Sequence, residues 1–353
     1  MAMLSFPGMI DVHVHLREPG ATQKEDIFTG TRAALAGGVI AVLDMPNNVP
    51  PTIDRPSLEE KKRLFALKAV TDYGIFLGYV GGDVQPLLDL ADQVVGLKLY
   101  IDETFGDLRM GTKNLEHVFE VWPGPGPIAV HAESSSIPVV LELAERYKQR
   151  LHVCHVPHPD DLLLIEAARQ RGVEVTCEVT PHHLFLSLED AQRLGPYGYM
   201  KPPLLPPAEV ALFWERLSLI DVIASDHAPH TKAEKESPHP PPGVPGLETT
   251  LPLLLYAVDE GRLSWERVLE LIWENPLRIF RLIPPKDSEV QVILEEPYKL
   301  TQEGYYTRCG WSPFGGKWAL GRVHSVRLHG QTVWQEGQLL VDPGYGRPLR
   351  HGS

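Results

Sequence analysis

Cysteine is scarce in this chain of 353 residues: three occur, Cys154, Cys177 and Cys309, an odd and widely spaced set. No disulfide framework can be built on them, and a reducing, cytoplasmic setting is expected. Basic residues are outnumbered, 33 Lys and Arg against 46 Asp and Glu, for a net charge of −13. No basic stretch interleaves with aromatics, so nucleic acid and anionic membranes are poor partners. No apolar run approaches the ~20 residues that cross a bilayer. Residues 1–10 hold no Lys or Arg and do not read as a signal peptide. What remains is an ordinary globular composition, long enough for one large α/β barrel of about 250 residues with a small appendage.

Short apolar, β-branched runs recur every thirty residues or so, roughly the length of a βα unit. Eight are found: Met9–Leu16, Val39–Met45, Tyr73–Val80, Val94–Ile101, Ile128–Glu133, Leu151–Val156, Glu174–Thr180 and Asp221–Asp226. Helix-like stretches such as 134–149 and 159–171 lie between them. This alternation predicts a closed (β/α)8 barrel across residues 1–285, with functional groups on the loops at the C-terminal ends of the strands. The proline-rich stretch Lys232–Gly246 reads as a functional loop. Beyond Leu282 β-like runs separated by glycine turns predict a small β-rich segment over 286–349, followed by a disordered tail at 350–353.

The first run reads Asp11-Val-His-Val-His-Leu-Arg17. A period of two puts His13 and His15 on one side and Val12, Val14 and Leu16 on the other. With the apolar side toward the helices, both imidazoles project into the barrel, where a pair at i and i+2 can grip one metal ion. In Val94–Ile101 the outward set Val95, Leu97, Leu99 and Ile101 leaves Lys98 inward. A buried ammonium needs a function or a partner. Either it pairs with a carboxylate, or burial lowers its pKa and the neutral amine takes up CO2, giving a carbamate able to bridge two cations. His131 and His155 end the fifth and sixth runs facing inward, and Asp226 ends the eighth. Convergence of these six groups on one barrel mouth predicts a metal centre. Cys154 counts as outward, a core thiol; Glu178 faces inward at the end of the seventh run.

The order His-x-His, Lys, His, His, Asp on strands one, four, five, six and eight resembles the amidohydrolase superfamily. Asp11-Val-His-Val-His-Leu-Arg-Glu-Pro-Gly20 and Ala224-Ser-Asp-His-Ala-Pro-His-Thr-Lys232 are similar to the two signature stretches of the dihydroorotase family. Further matches are Met45-Pro-Asn47, the stretch 98–105, Cys177-Glu-Val-Thr-Pro-His-His183, Pro245-Gly-Leu-Glu-Thr249 and Trp311-Ser-Pro-Phe-Gly315. The likeness covers nearly the whole chain and is greatest to the dihydroorotase domains of animal multifunctional pyrimidine-synthesis proteins.

The resemblance implies one zinc on His13, His15, carboxylated Lys98 and Asp226, and a second on the Lys98 carbamate, His131 and His155. Glu178 would support these ions or bind a third. A hydroxide bridging the two zincs would attack the ring amide, with Asp226 as general base and then acid. The expected reaction is the reversible interconversion of L-dihydroorotate and N-carbamoyl-L-aspartate. Arg17, Asn47 and His230 match the family's carboxylate-binding positions, with Lys201 and Pro242 as further substrate contacts. Thr104 and Phe105 fall in a stretch that resembles the family's closing loop. His182 and His183 could support the site from behind, though core or surface placement is equally expected. A homodimer is expected by analogy, and assembly with aspartate transcarbamoylase is a further expectation. Other cyclic amidohydrolases (hydantoinase, dihydropyrimidinase, allantoinase) and a non-catalytic scaffold for aspartate transcarbamoylase are the alternatives.

Two features depart from the family pattern. Lys201 opens the Pro-Pro loop where relatives often have Asn or Arg, which keeps charge but loses the fork geometry. The β-strands that many members place before His-x-His are missing, so only the C-terminal segment is expected to build the appendage.

Overall fold

The computed structural model describes residues 2–102 and 112–352. A short strand β1 (Ala2–Phe6) is followed by eight parallel strands: β2 (Met9–Val14), β3 (Val39–Asp44), β4 (Asp72–Gly78), β5 (Gly96–Tyr100), β6 (Ile128–His131), β7 (Leu151–Val153), β8 (Val175–Val179) and β9 (Val222–Ile223). They neighbour one another in chain order. A parallel bridge between Val14 and His227 brings the first strand to the segment after the last, with the His15 amide donating to the His227 carbonyl at 2.8 Å. The eight-fold α/β architecture expected from the sequence is the one observed.

The strands are buried on both faces, as a parallel sheet covered by helices requires. Ile40, Val42, Leu77, Leu97, Val130 and Val153 pack outward in one cluster with helix residues such as Leu35, Phe65, Leu141 and Ile165. Ile10, Ala41, Leu43, Phe76, Ala129 and Val222 form a separate inner cluster, joined by Phe280 and Leu282. Phe280 meets Phe76 edge-on at 5.8 Å between ring centres. The barrel is thus filled on one side by hydrocarbon, leaving its other end to polar groups.

Two assignments by simple alternation are corrected here. Val12 and Val95 belong to the inner cluster, not to the outward sets with Val14 and Leu16 and with Leu97, Leu99 and Ile101. A register shift between Asp11 and Val14 breaks the period of two, so Val12 and His13 both serve the interior. The shift is held by Asp11, whose buried carboxylate accepts from the amides of His13 (3.2 Å) and Ser225 (3.1 Å).

A second sheet runs β1, β10 (Glu289–Leu294), then three later strands. A two-stranded pair, β11 (Tyr298–Lys299) and β12 (Trp318–Ala319), precedes them; the three are β13 (Arg322–Leu328), β14 (Gln331–Gln335) and β15 (Gln338–Leu339). The expectation that only the C-terminal part builds this appendage is wrong. Ala2–Phe6 pairs antiparallel with β10 over five residues, and Phe6 is buried edge-on against Trp265 at 5.3 Å. The disordered tail is also corrected: Ile283 donates to the Arg350 carbonyl at 2.9 Å, and His351 sits between the carbonyls of Phe280 and Val94. The stretch 232–246 holds one short helix, Lys232–Lys235, and is otherwise irregular.

Candidate metal and substrate site

A cavity at the polar end of the barrel is lined by His13, His15, Arg17, Asn47, Tyr100, His131, His155, Lys201, Asp226 and Pro242, with Ala228 and Gly243. Lys98 lies beneath, fully buried. Every described member of the sequence-derived set except Lys98, Glu178 and His230 therefore lines one cavity, and those three touch its lining groups. Thr104 and Phe105 lie outside the described residues.

His13 is the hinge of the site. Its Nδ1 makes a short contact with Glu178, and its Nε2 lies 3.4 Å from Asp226 Oδ1. His15 Nε2 is 3.2 Å from the same oxygen, and its Nδ1 bonds to Asn47 Oδ1 at 2.6 Å. Glu178 also contacts His152 Nε2 at 3.1 Å and accepts from the His155 amide at 3.1 Å. His131 Nδ1 and His155 Nε2 are 2.9 Å apart. Lys98 Nζ donates to Cys154 Sγ at 2.9 Å and stands 5.2 Å from the Tyr100 ring centre.

Cys154 is a third place where alternation fails: it points inward, not out. β7 ends at Val153, with Leu151 and Val153 outward, so Cys154 follows His152 into the barrel. His155 reaches the cavity only because its backbone turns left-handed, at φ 29°. Asp226 (φ 44°) and Arg17 (φ 61°) share that unusual geometry for a side chain with a Cβ. Three of the expected site residues thus sit on sharp corners just past strand ends.

Electrostatics follow burial. Desolvation pushes His15 down to about 4 and His131 down to about 3, the latter aided by Lys98. Burial and the neighbouring His131 hold His155 well below the ordinary histidine range. At His13 desolvation is outweighed by the Glu178 carboxylate, raising it to about 10. Asp226 stays anionic despite burial because His13 and His15 face it. Two buried carboxylates thus call for positive charge at His13. Among the described residues, His131 Nε2, His155 Nδ1 and the Tyr100 hydroxyl are buried with no hydrogen-bond partner. His13, His155 and Asp226 place donor atoms within 4.8 Å of one another, as do His13, Cys154 and Glu178. Neutral imidazoles, anionic carboxylates and unpartnered nitrogens are a donor set that fits divalent metal.

Toward the mouth, Arg17 Nε donates to the Pro229 carbonyl at 3.2 Å, and its Nη2 lies 3.2 Å from His230 Nε2. Lys24 Nζ stands 3.2 Å from His230 Nδ1. An ammonium can only donate, so Nδ1 accepts and the Nε2 proton is given to the Pro242 carbonyl at 2.9 Å. His183 is a buried support, tied to Thr180 Oγ1 (2.8 Å) and the Pro202 carbonyl (3.2 Å); His182 is buried beside it.

An amidohydrolase family model matches residues 4–96. The dihydroorotase of Pyrococcus abyssi is 34% identical over 370 residues, covering 98% of this chain and 87% of that protein. The chain belongs to the dihydroorotase family. Multifunctional protein CAD of Squalus acanthias is 45% identical over 351 residues, 99% of this chain. This dihydroorotase-family chain spans 16% of that relative's length. Among solved structures, an L-hydantoinase (dihydropyrimidinase) of Arthrobacter aurescens superposes with a TM-score of 0.94 at 26% identity, over 99% of this chain and 89% of that one. The inactive dihydroorotase-like domain of a Chaetomium thermophilum CAD-like protein gives 0.84 at 26% identity, over 99% of both chains.

Sequence reasoning passed over Tyr100 and His152 and turned Cys154 outward. Tyr100 was legible, since the count that turns Lys98 inward turns Tyr100 inward too. His152 was legible in the same way, two residues before Cys154. Cys154 itself needed the break of alternation at His155, which no residue in that stretch announces.

Proposed function

We propose that the chain is a metal-dependent dihydroorotase, interconverting L-dihydroorotate and N-carbamoyl-L-aspartate in the cytoplasm. One observation carries the reading: a buried set of metal-ligating side chains shares a single cavity with the cations Arg17 and Lys201. A ring amide to be opened and a carboxylate to be gripped would each find its complement there.

His13, His15, Asp226 and a carboxylated Lys98 would hold one zinc; Lys98, His131 and His155 would hold a second. His13, Cys154 and Glu178 would be the donors for a third. When bound, such ions supply Lewis acidity toward the amide carbonyl and lower the pKa of water. Asp226, kept anionic, takes the proton of the attacking water and hands it to the leaving ring nitrogen; in cyclisation it runs the reverse. Arg17 offers donors in a planar fork to the substrate carboxylate. Asn47, spending its amide oxygen on His15, offers its NH2 group to the same ligand. His230 and Lys201 complete the anion-binding wall beside Pro242, and Thr104 and Phe105 close over the ring. A homodimer, and docking to aspartate transcarbamoylase, belong to the same reading.

The L-hydantoinase likeness favours a second reading, hydrolysis of a cyclic amide lacking a carboxylate. Arg17 and Lys201 argue against it, because a neutral ring offers no carboxylate to the cations that line the cavity. Purified protein should carry divalent metal and turn over dihydroorotate, with hydantoin and dihydrouracil slower by on the order of 10²- to 10⁴-fold, about two lost charge-assisted hydrogen bonds. Chelation should abolish turnover, and Asp226→Ala should do so while metal stays largely bound. Metal-free protein that still cyclises carbamoyl-aspartate would refute the proposal.

A further inference from the structure

The loop 232–246 carries a buried cation that the chemistry above does not use. Lys235 is fully buried, and none of the described carboxylates pairs with it. An ammonium taken out of water without a counter-charge is costly, so the fold must give it full hydrogen bonding. It does so with backbone alone. Nζ donates to the carbonyls of Tyr199 at 2.9 Å, Pro241 at 3.0 Å and Gly243 at 3.1 Å. The rings of Tyr199 and Trp311 flank it at 5.9 and 5.8 Å. All three ammonium protons are thereby spent.

What those carbonyls belong to gives the contact its meaning. Pro241 and Gly243 bracket Pro242, and Tyr199 stands two residues before Lys201; Pro242, Gly243 and Lys201 all line the cavity. The Pro242 carbonyl receives the His230 ring, and the His230 carbonyl receives the Trp311 indole N–H at 2.8 Å. Gly243 closes the arrangement: its amide donates to the Tyr199 carbonyl at 3.1 Å, and its φ of 130° suits glycine alone. A Cβ there would come within 2.6 Å of the Ala228 carbonyl oxygen. One ammonium therefore adds three bonds to the Gly243–Tyr199 and Tyr197–Glu236 contacts that hold the two loops where they form the anion-binding wall.

We propose that Lys235 is a positioning residue for substrate: it fixes Lys201, Pro242 and, through Pro242, His230 at the spacing that receives the substrate carboxylate. This rests on the dihydroorotase reading and deepens it. Burial works against the charge and pushes the amine down to about 7, while the three carbonyls and two ring faces favour the ammonium. A residue that merely filled space could be apolar.

The test uses the whole metal-loaded protein with Lys235→Met and Lys235→Arg. Methionine keeps the bulk and removes the donors. KM for dihydroorotate should rise on the order of tenfold or more, the equivalent of about one charge-assisted hydrogen bond, with kcat changed less than about threefold and metal content unaltered. Hydrogen exchange in peptides covering 197–203 and 238–246 should quicken in Lys235→Met and be partly restored in Lys235→Arg. That variant keeps the charge but, as a planar fork, cannot serve three carbonyls around one point. The proposal is overturned by unchanged exchange in both loops, by a fall in kcat at constant KM, or by both variants failing to fold. Wild-type protein inactive on dihydroorotate would sink the reading of activity instead, and the exchange data would still decide whether Lys235 holds the two loops.

Discussion

Glu178 shows how far the site depends on a residue that never reaches the cavity. One carboxylate oxygen takes His13 Nδ1 and the His155 amide, and the other meets His152 Nε2. Glu178→Gln removes the charge and little else. With its oxygen kept toward His13 and His155, the new NH2 faces His152. That ring can answer by moving its proton to Nδ1, because Thr176 Oγ1, 2.9 Å away, accepts as well as donates. Each buried donor keeps a partner, so the fold should survive. What goes is the negative charge that makes His13 basic and aims it. Losing such an outer partner weakens metal binding about 10- to 100-fold, or roughly 1.4–2.7 kcal/mol at 1.36 kcal/mol per decade. Competition with a graded chelator, read as metal retained, measures this directly, and circular dichroism checks the fold. Glu178→Ala is the contrasting variant. It strands three buried donors at about 1–3 kcal/mol each and should destabilise the protein outright. Metal affinity within threefold of wild type in a folded Glu178→Gln protein would refute the argument.

Arg17→Lys keeps the charge and loses the fork, so KM for dihydroorotate should rise about 10- to 150-fold, the worth of one charge-assisted hydrogen bond. A change below threefold would mean Arg17 does not grip substrate. Glu248, pushed up to about 7 by burial although the amides of Tyr306 and Thr307 donate to it, should give stability a pH dependence. Its unfolded value is 4.5, so as pH rises from there to about 7 the unfolded chain releases its proton first and the fold loses stability. One such group contributes up to about 1.4 kcal/mol per pH unit within that window. Unfolding free energies measured across it in wild type and Glu248→Gln should differ in slope; equal slopes would remove the claim.

The barrel was legible because parallel strands buried on both faces read as apolar runs, and eight of them at βα spacing leave few architectures. Lys98 and His131 were legible through period-two counting, and Asp226 through its place at the end of the eighth run. The count failed where backbone departs from a regular strand. At Val12 a register shift adds a residue to the inner face, and at Cys154 a left-handed neighbour lets two successive side chains reach the site. Neither leaves a mark in residue type. Ala2–Phe6 escaped because a five-residue edge strand gains its stability from β10, nearly three hundred positions away. His351 escaped for a similar reason, its partners being carbonyls at the base of the barrel.

The left-handed corners at Arg17, His155 and Asp226 have a consequence for the molecule's history. Each holds a Cβ against the following carbonyl at about 1–2 kcal/mol. Together that is a sizeable share of the roughly 5–15 kcal/mol separating a folded domain from its unfolded chain. A descendant freed from turnover could place glycine at these corners and become sturdier. Loss of chemistry in this architecture is therefore a downhill path, and a copy retained only for its shape should be the more heat-resistant one.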